Sequence, residues 1–147
     1  MSLSPARCWS LAAVLFLAVS GCTGSAKAPM VSPADSLQIY CVPEQVETFA
    51  ALRPEDLRRI KTGFAEFDEP IVAAEAWDVA RSDAGDATAQ FADVRWGLRI
   101  LDANHRILAE YYVDRTGTVG YAATHRVRFS GHLREWLRAR LGLFANY

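Results

Sequence analysis

From Val94 onward, apolar and polar positions alternate. Val94, Trp96, Leu98 and Ile100 are apolar, and Arg95, Gly97 and Arg99 stand between them, the period-two pattern of a half-buried strand. The stretch "DANHR" turns the chain, "ILAEYYVD" returns it, and "RTG" turns it again, with Gly117 suited to the left-handed position of a bulged hairpin. "TVGYAA" and a short "VRF" read as the next two strands. Strands joined by turns this short pair with their neighbours, so the second half predicts an antiparallel meander.

The first half carries a different rhythm. "LQIYCV" alternates, with Leu37, Ile39 and Cys41 on one face, and Pro43 ends it as a strand. "PEQVETFAALR" fits neither period. "RPEDLRRIKTG" has proline at a first-turn position, acids beside it, bases behind and Gly63 to stop it, which predicts a short helix. "PIVAAEAWDVARS" predicts a second helix to about Ser82, and "DAGDATAQ" a polar loop. In "SGHLREWLRARLG" a serine able to cap precedes a stripe of Leu133, Trp136, Leu137 and Leu141, and Gly142 closes the helix. The expected class is α+β: an antiparallel β-meander of about four to five strands with two or three helices packed on one face.

The N-terminus departs from both patterns. Arg7 is followed by an apolar run from Trp9 to Val19, shorter than the ~20 residues of a spanning helix but fitting the core of a secretory signal. Its end, Val19-Ser20-Gly21-Cys22, resembles the lipobox of bacterial lipoproteins. The resemblance implies that residues 1–21 are a signal peptide that is removed, and that Cys22 is lipidated and becomes a membrane anchor. Two or more acyl chains, at about 0.8 kcal/mol per buried CH₂, make such an anchor stable. By the same resemblance, Thr23 is not the aspartate that retains lipoproteins at the inner membrane in some Gram-negative bacteria, which implies the outer membrane, facing the periplasm. The alternative is an ordinary secretory signal cleaved after Gly24-Ser25-Ala26. Residues 22–36, small and proline-rich, read as a flexible tether with a reach of about 20 Å, leaving 37–147 as a single α+β domain.

This processing reorders the cysteines. Cys8 leaves with the signal and Cys22 takes the lipid, so Cys41 remains as a small buried residue rather than a nucleophile. Without acylation, a Cys22–Cys41 disulfide is the open alternative.

Charge is distributed unevenly. Cys22 to Asp93 holds six basic against thirteen acidic residues, whereas Val94 to Tyr147 holds nine arginines against four acids. Opposite blocks attract, so the acidic half is expected to fold against the basic sheet; the arginines also suit carboxylate recognition. Once the signal with Arg7 is removed, fifteen basic against seventeen acidic residues leave a net charge of −2, which with the secretory address argues against nucleic acid.

Register locates the candidate site. With Asn104-His105 as a two-residue loop, Arg99 faces Glu110, Gly97 faces Tyr112, and Arg95 faces Asp114. With Arg115-Thr116-Gly117 as the next loop, Tyr112 also faces Gly120. Tyr112 would then lie in a glycine trough among Arg95, Arg99 and Arg128, a face able to meet an anionic group or an acidic protein partner. The competing account is that the ring covers glycine backbone and the cross-strand charges satisfy each other. His105 and His125 occupy turns at one end of the meander, but no third ligand or metal spacing accompanies them. No nucleophile elbow, phosphate loop or dinucleotide fingerprint occurs, so neither a cofactor nor a metal is expected. The expected function is a non-enzymatic, lipid-anchored, periplasm-facing protein-binding role, as an envelope accessory or an inhibitor. In general plan it resembles the small lipoproteins that act as periplasmic inhibitors or immunity proteins. Alternatives are a small-ligand or glycan binder, and a hydrolase using His105 or His125.

Overall fold

The structure, a computed structural model, describes residues 33–60 and 62–142. The expected signal peptide (1–21), Cys22 and the expected tether as far as residue 32 lie outside the described residues. The elements in chain order are β1 (Ser36–Cys41), α1 (Pro54–Ile60), β2 (Gly63–Phe67), α2 (Pro70–Asp83), β3 (Ala84–Ala87), β4 (Val94–Leu101), β5 (Ile107–Asp114), β6 (Val119–Ala122), β7 (His125–Phe129) and α3 (His132–Leu141). They form one antiparallel sheet in the order β2-β1-β4-β5-β6-β7-β3. The described helices include none long and apolar enough to cross a membrane.

The meander β4 to β7 is the centre of a larger sheet than the alternation predicts. Seven strands replace the expected four to five because two edge strands carry weak local signals. In β2, "GFAEF" pairs with β1 across an intervening loop and helix, a partnership that only folding brings about. β3 is "AGDA", with no β-branched or aromatic residue, and it exists because the open edge of β7 supplies partners for its backbone. The ordered domain also begins before residue 37: Ala34 is buried, and the Asp35 amide donates to the Leu101 carbonyl at 2.8 Å.

Alternation assigns the two sheet faces to different cores. On the first face, Leu37, Ile39, Trp96, Leu98 and Ile100 meet α2 through Val72, Ala73, Ala76 and Ala80, and α3 through Leu133, Leu137 and Leu141. The small alanines let α2 approach the sheet closely. Cys41 joins this core, and burial pushes its thiol pKa up. On the second face, Tyr40, Val42, Leu52, Leu57, Val94, Tyr112 and Val119 form a smaller core. Leu57 belongs to α1, so the expectation of helices on one face is corrected: α2 and α3 share a face and α1 lies on the other. β4 is therefore covered on both sides, and at about 1.5–3 kcal/mol per buried large apolar side chain both cores contribute to stability.

The start of α3 is also capped differently from expectation. Ser130 is not the cap; Gly131 holds that position at φ 102°, with no side-chain cap of its own. The carboxylate of Asp83, at the end of α2, accepts instead from the Ser130 amide (2.9 Å), the Ser130 hydroxyl and the Leu133 amide (2.8 Å). Opposite charges from the two halves of the chain meet in the same way. Arg134 pairs with Glu44 at 2.6 Å, Arg140 with Glu75, and Arg58 with Glu110 at 3.4 Å.

Candidate functional site

The second sheet face carries the chemistry. Gly97 pairs with Tyr112, and a Cβ at Gly97 would lie 2.4 Å from Tyr112 Cδ1 and 3.1 Å from Leu57 Cδ2. The missing side chain thus makes the space in which the Tyr112 ring and α1 settle on the sheet. The other half of the expected trough is absent. The β5–β6 hairpin uses one loop residue more than expected, so Tyr112 faces Tyr121 while Gly120 faces Val113. Asp114 favours this longer loop: its carboxylate accepts from the amides of Thr118 (3.0 Å) and Val119 (3.3 Å).

Of the expected exposed residues, Tyr112 and Arg95 are buried, at 0% and 2% relative exposure. Tyr112 lies under α1, where its hydroxyl accepts from Arg58 Nη1 at 2.9 Å. Burial pushes its phenol pKa up, and the Arg58 hydrogen bond partly opposes that. Arg95 does not face Asp114, because a bulge pairs Val94 with Asp114 instead. Its guanidinium donates to Asp93 Oδ2 (2.7 and 3.1 Å), the Val46 carbonyl (2.8 Å) and Thr48 Oγ1 (3.2 Å), tying the 43–53 loop to the sheet. Arg99 does face Glu110, with Nε 2.7 Å from Oε1, and its guanidinium stands 5.8 Å from the Tyr40 ring centre. Arg128 is exposed on β7, opposite Val119, two residues from Arg126 on the same face. The structure therefore does not gather these four arginine and tyrosine positions into one open platform.

It gathers another set instead. Beside α1, which packs on β1 and β4, an open groove of about 560 Å³ is lined by Arg53, Pro54, Glu55, Arg58, Phe91, Glu110, Tyr121, Ala123, Thr124 and Arg126. Its elements follow from local rules. Proline begins α1, acids follow it and arginines end it, which places Arg58 one turn beyond Pro54, facing the sheet. Period two puts Tyr121 and Arg126 opposite each other on β6 and β7. Phe91 comes from the connection before β4 and remains 54% exposed.

The guanidiniums of this groove are unevenly occupied. Arg58 uses Nη1 for Tyr112 and Glu110, leaving Nε and Nη2 without a partner among the described residues. Arg126 uses Nη1 for the Ala89 carbonyl (2.9 Å), and among the described residues the Arg53 guanidinium has no hydrogen bond or ion pair. Glu110, held between Arg58 and Arg99, is already neutralised. The groove thus presents surplus planar donors beside two aromatic rings, an arrangement that binds carboxylates and apolar groups together. Its residues were largely illegible in sequence because α1 is placed beside the ends of β5 to β7 only through the second core. The one available signal was the pairing of Arg126 with Arg128 at strand spacing.

His105 and His125 are exposed and neither lines the groove. Among the described residues, no group of three or more His, Cys, Asp and Glu side chains is placed to hold a metal ion. No protein-family model matches the chain, and no curated protein or solved structure is similar to it.

Proposed function

We propose that the chain is a lipid-anchored, periplasm-facing binding protein, held at the outer membrane through Cys22, that engages a partner protein through the groove between α1 and strands β5 to β7. The observation that carries this reading is the groove itself, with three arginines retaining unused donors beside exposed Phe91 and partly exposed Tyr121. Arginine and aromatic residues are the side chains that dominate binding energy at protein interfaces. The reading is non-enzymatic, and rests on the recognition groups the groove supplies.

A photo-crosslinker at Thr124, compared with one at Arg138 on α3, tests the surface in cells. The expected result is a discrete crosslinked species from Thr124 that disappears in the Arg53→Glu/Arg126→Glu double variant. Equal crosslinking from both positions would overturn it. Loss of palmitate labelling in Cys22→Ala tests the anchor. The second reading, a small-ligand or glycan binder, draws support from the groove's volume, which lies within the ~300–1,000 Å³ of ligand pockets.

A further inference from the structure

We propose that the occupant of this groove is a short extended peptide segment with two acidic side chains flanking an apolar or aromatic one. The inference rests on the binding reading above and names its ligand chemistry. Two observations select this class. The unused donors of Arg53, Arg58 and Arg126 border a groove whose walls also expose the Phe91 ring and partly expose Tyr121, so it combines several cationic groups with apolar surface. A segment carrying two carboxylates and one apolar side chain complements that combination. The lining also holds acceptors, namely the Glu55 carboxylate and the Thr124 hydroxyl. Glu55 has no partner among the described residues and can receive peptide N–H groups.

The Glu55 carboxylate also disfavours a phosphate group. A dianion brought between the arginines would face it, and repulsion between like charges grows with the charge of the ligand. A carboxylate carries one charge in a planar form that matches a guanidinium fork, and the neighbouring amides supply donors that phosphate lacks. Neutral glycans stack on aromatic rings but leave the guanidinium donors unanswered.

The test uses the full chain and four defined probes in isothermal titration. They are the blocked peptide Ser-Asp-Phe-Asp-Ser, its Asn-for-Asp analogue, inorganic phosphate and maltotriose. The acidic peptide is expected to bind about ten- to hundredfold more tightly than its amide analogue, as charge-assisted hydrogen bonds predict, and to weaken as salt rises. Arg126→Glu should abolish that preference, and Arg138→Glu on α3 should leave it intact. Equal binding of acid and amide peptides, or tighter binding of phosphate or maltotriose, overturns the ligand class. If the Thr124 crosslink persists in that case, the binding reading stands alone. Failure of all four probes together with loss of the Thr124 crosslink overturns both.

Discussion

Asp83→Ala is the substitution whose consequence the structure specifies most closely. The Asp83 side chain is fully buried and accepts from the Ser130 amide, the Ser130 hydroxyl and the Leu133 amide, tying the end of α2 to the start of α3. Alanine removes all three acceptor contacts. Ser130 is exposed, so its hydroxyl turns to water at little cost. Leu133 is 0% exposed, so its amide has no such route, and an unsatisfied buried donor costs about 1–3 kcal/mol. Adding a smaller loss at the half-buried Ser130 amide gives a destabilisation of about 3 kcal/mol, above the ~0.5–2 kcal/mol of an exposed N-cap. Such a loss is a large share of a typical ~5–15 kcal/mol stability. For a domain of this size it lowers Tm by about 12 °C or more. Urea denaturation followed by far-UV circular dichroism reads the change, with Asp83→Asn as control, since it keeps one acceptor oxygen and should lose about half as much. A loss below about 1 kcal/mol for alanine, or equal losses for alanine and asparagine, would refute the capping argument.

Three other predictions concern the second core and the buried titratable groups. Gly97→Val places methyl groups where the Tyr112 ring and Leu57 already lie; it should cost about 1–3 kcal/mol in denaturation and an unchanged midpoint would contradict the packing. Tyr112→Phe keeps the ring and removes the acceptor for Arg58, so it should cost about 1 kcal/mol, against about 3–5 kcal/mol for Tyr112→Ala; similar losses for both would show that the hydroxyl, not the ring, dominates. Burial raises the pKa of Cys41, Tyr111 and Tyr112. The unfolded chain therefore releases these protons first, and the contribution is whole below the ordinary thiol and phenol values and declines as pH rises through the raised ones. Urea midpoints should fall progressively above about pH 9, and iodoacetamide should label Cys41 slowly until the domain unfolds. A midpoint that stays level into the alkaline range would contradict it.

The hairpins show how register was legible in one place and not in its neighbour. The β4–β5 loop uses three residues, Ala103 to His105, rather than two, with His105 at φ 56° and the Asp102 carboxylate accepting from the Asn104 and Arg106 amides. A bulge between the Leu101–Ile107 and Ile100–Ala109 pairs absorbs the offset. Arg99 therefore still meets Glu110, and Gly97 still meets Tyr112, as the shorter loop predicts. The β5–β6 pairing has no such compensation, so one extra residue exchanges Gly120 for Tyr121 opposite Tyr112. Aspartates at both loop entrances were visible in the sequence, but whether a bulge offsets the longer loop depends on packing along the strand.

What the sequence determined alone was set by local periodicity and end signals. Period two marked β4 to β7 and the inward face of β1; proline, the acidic-to-basic gradient and glycine marked α1; and Leu133, Leu137 and Leu141 marked the inner stripe of α3. The charge asymmetry also foretold that acidic and basic halves would meet, as Arg134–Glu44 and Arg140–Glu75 do. Tertiary structure decided the rest. The edge strands β2 and β3 depend on partners distant in sequence, and a four-residue "AGDA" has no propensity to announce itself. The side of the sheet taken by α1 depends on Leu57 finding the gap over Gly97, a contact between residues forty positions apart. That placement buries Tyr112 and brings Arg53 and Arg58 beside Arg126. The strand pattern fixed which residues share a face, and only the helix laid across it decided which of them remain open to a partner.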